Sequence, residues 1–140
     1  MNNKYKILAE FIKDASSETA NIETYLFVKK NISNYQLNVD IHSKALKDKI
    51  IEVNIILRFE DKNLENKKSH FEINYAVVIK LVDYINNKKE LEKILLSEIP
   101  TKVCPNLVDA FISLMRSSGF PEVKLDKNID FEKLYNNKLN

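Results

Sequence analysis

The stretch IIEVNIILRFEDKNLENKKSHFEINYAVVIKL, Ile50 to Leu81, decides the fold. Ile51, Val53, Ile55, Leu57 and Phe59 alternate with Glu52, Asn54, Arg58 and Glu60, and Phe71, Ile73, Tyr75, Val77, Ile79 and Leu81 alternate with His70, Glu72, Asn74 and Lys80. Successive side chains of a strand point to opposite faces, so an apolar set interleaved with a polar one marks a half-buried strand of an antiparallel sheet. The polar run Glu60 to Lys68 between them is short enough for a hairpin connection, and the two strands are expected to pair. Upstream, Tyr35, Leu37, Val39 and Ile41 alternate with Gln36, Asn38, Asp40 and His42 and give another strand.

Downstream the period changes to that of a helix. In IPTKVCPNLVDAFISLMRSSGF, Ile99 to Phe120, Pro105 fits a first helical position and Gly119 follows the last turn, where a left-handed residue commonly closes a helix. Between them Leu107, Val108, Phe111, Ile112, Leu114 and Met115 occupy more than one stripe of the helix. The expectation is that one sheet face cannot cover them all and that a second subunit does the rest. Lys88 to Ile99, with Leu91, Ile94, Leu95 and Ile99, predicts a shorter amphipathic helix stopped by Pro100. Asp130 is placed to cap a last helix that bears Phe131, Leu134, Tyr135 and Leu139.

The N-terminal segment has two readings. Tyr5, Leu8, Phe11 and Ile12 fit a helical face, whereas Tyr5, Ile7, Ala9 and Phe11 fit a strand face, and periodicity leaves both open. Asp14 to Asn34 then forms a long connection carrying Ile22, Tyr25, Leu26, Phe27 and Val28. An apolar connection of that length either covers a sheet edge or presents a sticky surface.

At 140 residues with 30% charged and 44% apolar content, the chain is expected to be a single globular domain over residues 1–140. No apolar run approaches the ~18 residues of a membrane span, and the N-terminus has no long apolar core of an export signal. With one cysteine, Cys104, an internal disulfide is excluded, and a cytoplasmic location is expected. The formal charge is +2, and Arg58 and Arg116 are the only arginines. Lysines spread along the sequence do not make the arginine-rich stripe that reads phosphates, so no nucleic-acid partner is expected.

Catalytic and metal chemistry find no support. One glycine cannot build a phosphate-cradling loop. His42 and His70 lack partners at ligand spacing, and Cys104 lies between Val103 and Pro105 with no base beside it. No enzyme activity, cofactor or metal is expected.

Several segments, taken in order, resemble the SecB protein-export chaperone family. ILAEFIKDASSETAN is similar to its first strand and acidic turn, with Lys13, Asp14, Glu18 and Asn21 matching. ELEKILLSEIP is similar to the leucine-rich lead-in to its proline pair, here Pro100 and Pro105. Phe120-Pro121 matches its F-P, and Phe131, Leu134 and Tyr135 match its last helix. Asn106-Leu107-Val108 stands where the family has Tyr-x-Arg, and Ser17 and Ala20 replace its Phe and Pro.

The resemblance implies an α+β fold: a four-stranded antiparallel sheet with a long crossover connection after strand 1, packed on helices and assembled as a dimer of dimers. It places the first strand at Lys6 to Lys13. It implies a holdase for unfolded preproteins that works without ATP and delivers them to the SecA ATPase. It also implies that Tyr25, Leu26 and Phe27 of the connection, with Phe131, Leu134 and Tyr135 of the last helix, flank a groove for extended polypeptide. Asp14, Glu18 and Glu72 match the acidic positions through which the family docks SecA. Two other functions compete: a SecB-like chaperone dedicated to one partner such as an antitoxin, and an oligomeric domain binding a small apolar ligand in an enclosed pocket.

Overall fold

A computed structural model describes residues 4–63, 67–125 and 129–139, with the side chains of residues 138 and 139, and so Leu139, outside that description. Four strands, β1 (Tyr5–Glu18), β2 (Gln36–Ala45), β3 (Ile50–Glu60) and β4 (His70–Leu81), form one antiparallel sheet in the order β1-β4-β3-β2. The N-terminal segment is thus a strand. Two register shifts, between Ile7 and Ala9 and between Ile12 and Asp14, interrupt its ladder with β4. The two strands of the opening stretch pair as expected, with Phe59 opposite Phe71 and Ile51 opposite Ile79.

β1 and β2 are the two edges of the sheet, so the connection between them must cross it. It is not an irregular loop. Helix α1 (Ile22–Asn31) is started by Asn21, whose Oδ1 accepts from the Thr24 N–H at 2.9 Å, and buries Val28 and Thr24.

Pro100 does not stop a helix, and Pro105 does not start one. Helix α2 (Lys88–Lys93) runs through a π-helical turn (Ile94–Glu98) directly into α3 (Ile99–Ser117), which contains Pro105. Pro100 lacks an N–H and its ring crowds the carbonyl four residues back. The wider turn, in which the Ile99 N–H donates to the Ile94 carbonyl, provides the local change of pitch. Thr101 Oγ1 adds a bond of 2.7 Å to the Ser97 carbonyl. The C-terminal expectation holds: Gly119 donates to the Arg116 carbonyl and Phe120 to that of Met115 at 2.9 Å, which closes α3 in a Schellman motif. Helix α4 (Phe131–Leu139) is capped by Asp130, whose Oδ1 accepts from Lys133 N–H at 2.9 Å.

The alternating apolar residues of β3 and β4 lie beneath α3, and rings bind the layers. Phe59 packs edge-on against Phe111 with centroids 5.6 Å apart, Phe71 edge-on against Phe120 at 5.4 Å, and Phe120 against Tyr25 of α1 at 5.1 Å. Leu107, Val108, Phe111 and Met115 are fully buried within this single chain, and Ile112 and Leu114 are half-buried. The sheet with its flanking segments therefore covers most of a helix expected to need a second subunit.

Gly119 has φ +96°, and a β-carbon there would stand 2.8 Å from Tyr25 Cε1. Gly119→Ala should cost about 1–3 kcal/mol through the left-handed backbone and the displaced ring, as chemical denaturation would read. The opposite change is available at the β2–β3 hairpin, where Asp48 and Lys49 both have positive φ and Ile50 donates to the Lys47 carbonyl at 3.2 Å. This is a type I′ turn with lysine where glycine is favoured, and Lys49→Gly should stabilise the fold by about 1 kcal/mol.

Candidate functional site

β2 is an edge strand whose core-side residues are not sealed by the sheet's helices. Leu37, Val39 and Ile41 alternate along it and remain half-buried. Against Val39 and Ile41 stand Leu96 of the π-helical turn and Leu134 and Tyr135 of α4, enclosing a cleft of about 270 Å³. A second cleft of about 350 Å³ shares Val39 and Leu134 and extends to Leu37 and Ile129. A third, about 430 Å³, shares Leu37 and continues past Tyr35 to Ile32 and Leu125. Neighbouring clefts share these residues and so lie in series as a groove, with mainly apolar walls in the first two and a mixed lining in the third, where Glu122 and Lys124 also stand. The groove runs from Tyr35, just before β2, along the strand to Ile41, a span of about 20 Å at strand rise.

The groove's position explains what it can bind. An edge strand offers one row of backbone donors and acceptors to an added strand, while alternate side chains of that strand would drop into the clefts. The edge is guarded at one point: Asp40 Oδ1 accepts from the Ile41 N–H at 3.2 Å, and His42 Nε2 lies 3.2 Å from Asp40 Oδ2.

The structure divides the six residues expected at a polypeptide groove. Leu134, at 40% exposure, and Tyr135 line it. Phe131 is buried in the core behind them. Tyr25 is structural: its hydroxyl donates to the Gly119 carbonyl at 2.7 Å and its ring rests on Phe120. Leu26 is exposed and Phe27 half-buried on α1, and neither lines these three clefts. Sequence reasoning missed Leu37, Val39, Ile41 and Leu96. The alternation in β2 was visible, but not that β2 is an edge.

The three acidic residues expected at a docking corner do come together. Glu72 lies opposite Ser16 in the β1–β4 ladder, and Asp14 and Glu18 flank Ser16 on the same outer face. Glu72 is not a lone charge, because Arg58 Nε donates to its Oε1 at 2.6 Å. On the helix side of β1, Glu10 Oε1 accepts from the Tyr75 hydroxyl at 2.9 Å and from Asn106 Nδ2 at 3.0 Å. Burial, with Glu10 beside it, pushes the Tyr75 phenol up to about 12. Asn106, at a position where the resemblance has tyrosine, thus ties α3 to β1.

A family model described as preprotein translocase subunit SecB matches residues 1–140. The chain belongs to the SecB family. It is 49% identical over its whole length, and the whole length of the relative, to a putative protein-export protein SecB of Pelagibacter ubique. It is 26% identical to the protein-export protein SecB of Methylocella silvestris over 94% of this chain and 80% of that one. Its fold is similar, at a TM-score of 0.64 and 12% identity, to a Mycobacterium tuberculosis SecB-like chaperone in complex with a peptide from an antitoxin, covering 88% of this chain and 90% of the other. The SecB fold expected from the resemblance is the one observed. Among the described residues no helix is long and apolar enough to cross a membrane, and no cluster of metal-ligating side chains occurs.

Proposed function

We propose that this protein is a cytoplasmic holdase that keeps unfolded preproteins extended, without ATP, and passes them to the SecA ATPase of the export machinery. The observation that carries the reading is the open apolar groove along edge strand β2 in a chain of the SecB family. Burial of apolar side chains is non-directional and backbone pairing ignores sequence, so such a groove accepts many clients. Folding of the client removes both kinds of contact. Release then needs no chemical step, and the corner of Asp14, Glu18 and Glu72 is the surface for the receiving SecA. A joined series of open clefts suits a polypeptide better than a small ligand.

Several unrelated denatured proteins, diluted with and without this one, test the reading. Aggregation of most should be suppressed. Val39→Ser with Leu134→Ser should weaken client binding by about 1–2 kcal/mol per side chain, or about tenfold each, in a titration with unfolded protein. Asp14→Lys with Glu18→Lys should leave client holding intact and impair only SecA binding. Suppression confined to one partner would instead favour the dedicated chaperone, the role for which an antitoxin-bound relative provides a precedent.

We further propose a homotetramer built as a dimer of dimers, supported now by β1 rather than by α3. β1 is a 14-residue edge strand on which Ile7, Leu8, Phe11 and Ile12 are 36–50% exposed, a template that monomeric proteins avoid. Phe11→Asp should yield smaller species by light scattering, and a monomeric wild type would overturn the assembly.

A further inference from the structure

The sheet is electrically polar along its strands. The acidic corner lies where β1 ends and β4 begins, whereas the opposite end gathers lysines that are scattered in sequence. Lys6 on β1 stands directly opposite Lys80 on β4, with side chains on the outer face. Lys47 and Lys49 belong to the β2–β3 turn, which is held against the end of β4 by the Leu81 N–H donating to the Lys49 carbonyl at 2.9 Å. Lys88 and Lys89 follow on the first turn of α2, which an ion pair between Glu90 and Lys4 draws to the start of β1. All six are exposed; Asp48 and Asp83 oppose them on these turns, as does Glu90 on the first turn of α2, whose charge is paired with Lys4. No ion pair joins Lys6, Lys47, Lys49 or Lys80 to a carboxylate among the described residues.

Two features show that this end is more than a solvated rim. Like charges directly across a ladder repel, and a type I′ turn favours glycine where Lys49 stands; both positions hold positive charge against a local cost. The same tips also expose apolar side chains: Leu46 is 45% exposed, Val82 50% and Tyr84 80%. The Val82 N–H donates to the Lys4 carbonyl at 2.7 Å, which fixes that loop beside the lysines.

We propose that this end of the sheet docks on an anionic lipid surface. Lysines act there as point charges toward headgroups, and an aliphatic pair with a tyrosine, carried on convex turns, suits the boundary between headgroups and acyl chains. A nucleic acid would be better met by arginine forks along a concave track, and would have no use for Leu46 and Val82. Docked this way, the molecule turns its acidic corner away from the membrane, and the groove runs up from the surface.

Sedimentation of the full chain with large unilamellar vesicles tests the proposal. The protein should pellet with phosphatidylcholine vesicles containing phosphatidylglycerol, not with phosphatidylcholine alone, and salt should weaken the binding. Lys47→Gln, Lys49→Gly and Lys80→Gln together should lower partitioning about 100-fold, at about fivefold for each lysine near the surface. Lys49→Gly is expected to stabilise the fold, and the triple variant should still hold denatured clients, so unfolding would not explain the loss. Val82→Ser with Tyr84→Ser should lower partitioning about tenfold while leaving its salt dependence unchanged. No binding to anionic vesicles, equal binding to neutral ones, or wild-type binding by the triple variant would overturn the proposal. So would tighter binding to a short DNA duplex or to polyglutamate that ignores the Val82 and Tyr84 changes, which would assign the end to a nucleic acid or an acidic protein.

Discussion

The contact between Phe59 and Phe71, centroids 6.3 Å apart across the β3–β4 ladder, is the point on which the other elements converge. Tyr35, just before β2, packs on both rings. Phe111 carries α3 onto Phe59, and Phe120 carries the end of α3 onto Phe71. Tyr25 then brings α1 onto Phe120. The register of one strand pair thus sets where the crossover helix, the long helix and the edge strand sit, and a slip of one strand by one residue would turn its phenylalanine to solvent and part the pair. Polar contacts secure the same region: Tyr35 Oη accepts from the Ser69 N–H at 3.0 Å, and Ser69 Oγ lies 2.6 Å from Thr19 Oγ1, linking the ends of β1, β2 and β4.

The groove follows from that arrangement by subtraction. α3 covers the centre of the sheet, and α4 reaches only as far as the π-helical turn and the outer part of β2. What is left uncovered is a strip along the edge strand, apolar because β2 was built to face a core that does not fully extend over it. Binding capacity and incomplete packing are here one property, and the cost in stability is borne by Leu37, Val39 and Ile41, which stay half-buried.

The strands were legible because their signal is local: β3 and β4 declare their faces by alternation alone, and the half-buried residues of β2 by the same rule. The N-terminal strand was not, since Tyr5 and Phe11 satisfy two periods at once; only resemblance to a family separated them. Within the long connection α1 is not announced by the sequence, because it buries only Thr24 and Val28 and so lacks a broad apolar stripe. Pro100 misled for a physical reason: the turn before it is π-helical and makes room for its ring, and nothing local in ILLSE announces that wider turn. The resemblance places Tyr25 beside the groove, and nothing in the sequence reveals that the carbonyl of a glycine 94 residues away accepts its hydroxyl. That last contact joins partners distant in sequence, which a one-dimensional pattern does not encode.

The π-helical turn has a consequence for the family's evolution. Its extra residue rotates everything N-terminal to it by about 100° relative to an uninterrupted α-helix, and it is Leu96, inside that turn, that forms a wall of the cleft. Deleting one residue between Ile94 and Glu98 would preserve composition, hydrophobicity and helix-forming tendency almost unchanged while swinging a different side chain toward α4. Groove specificity can therefore drift among relatives through single insertions and deletions in a helix, a kind of change that comparison of substitutions would overlook.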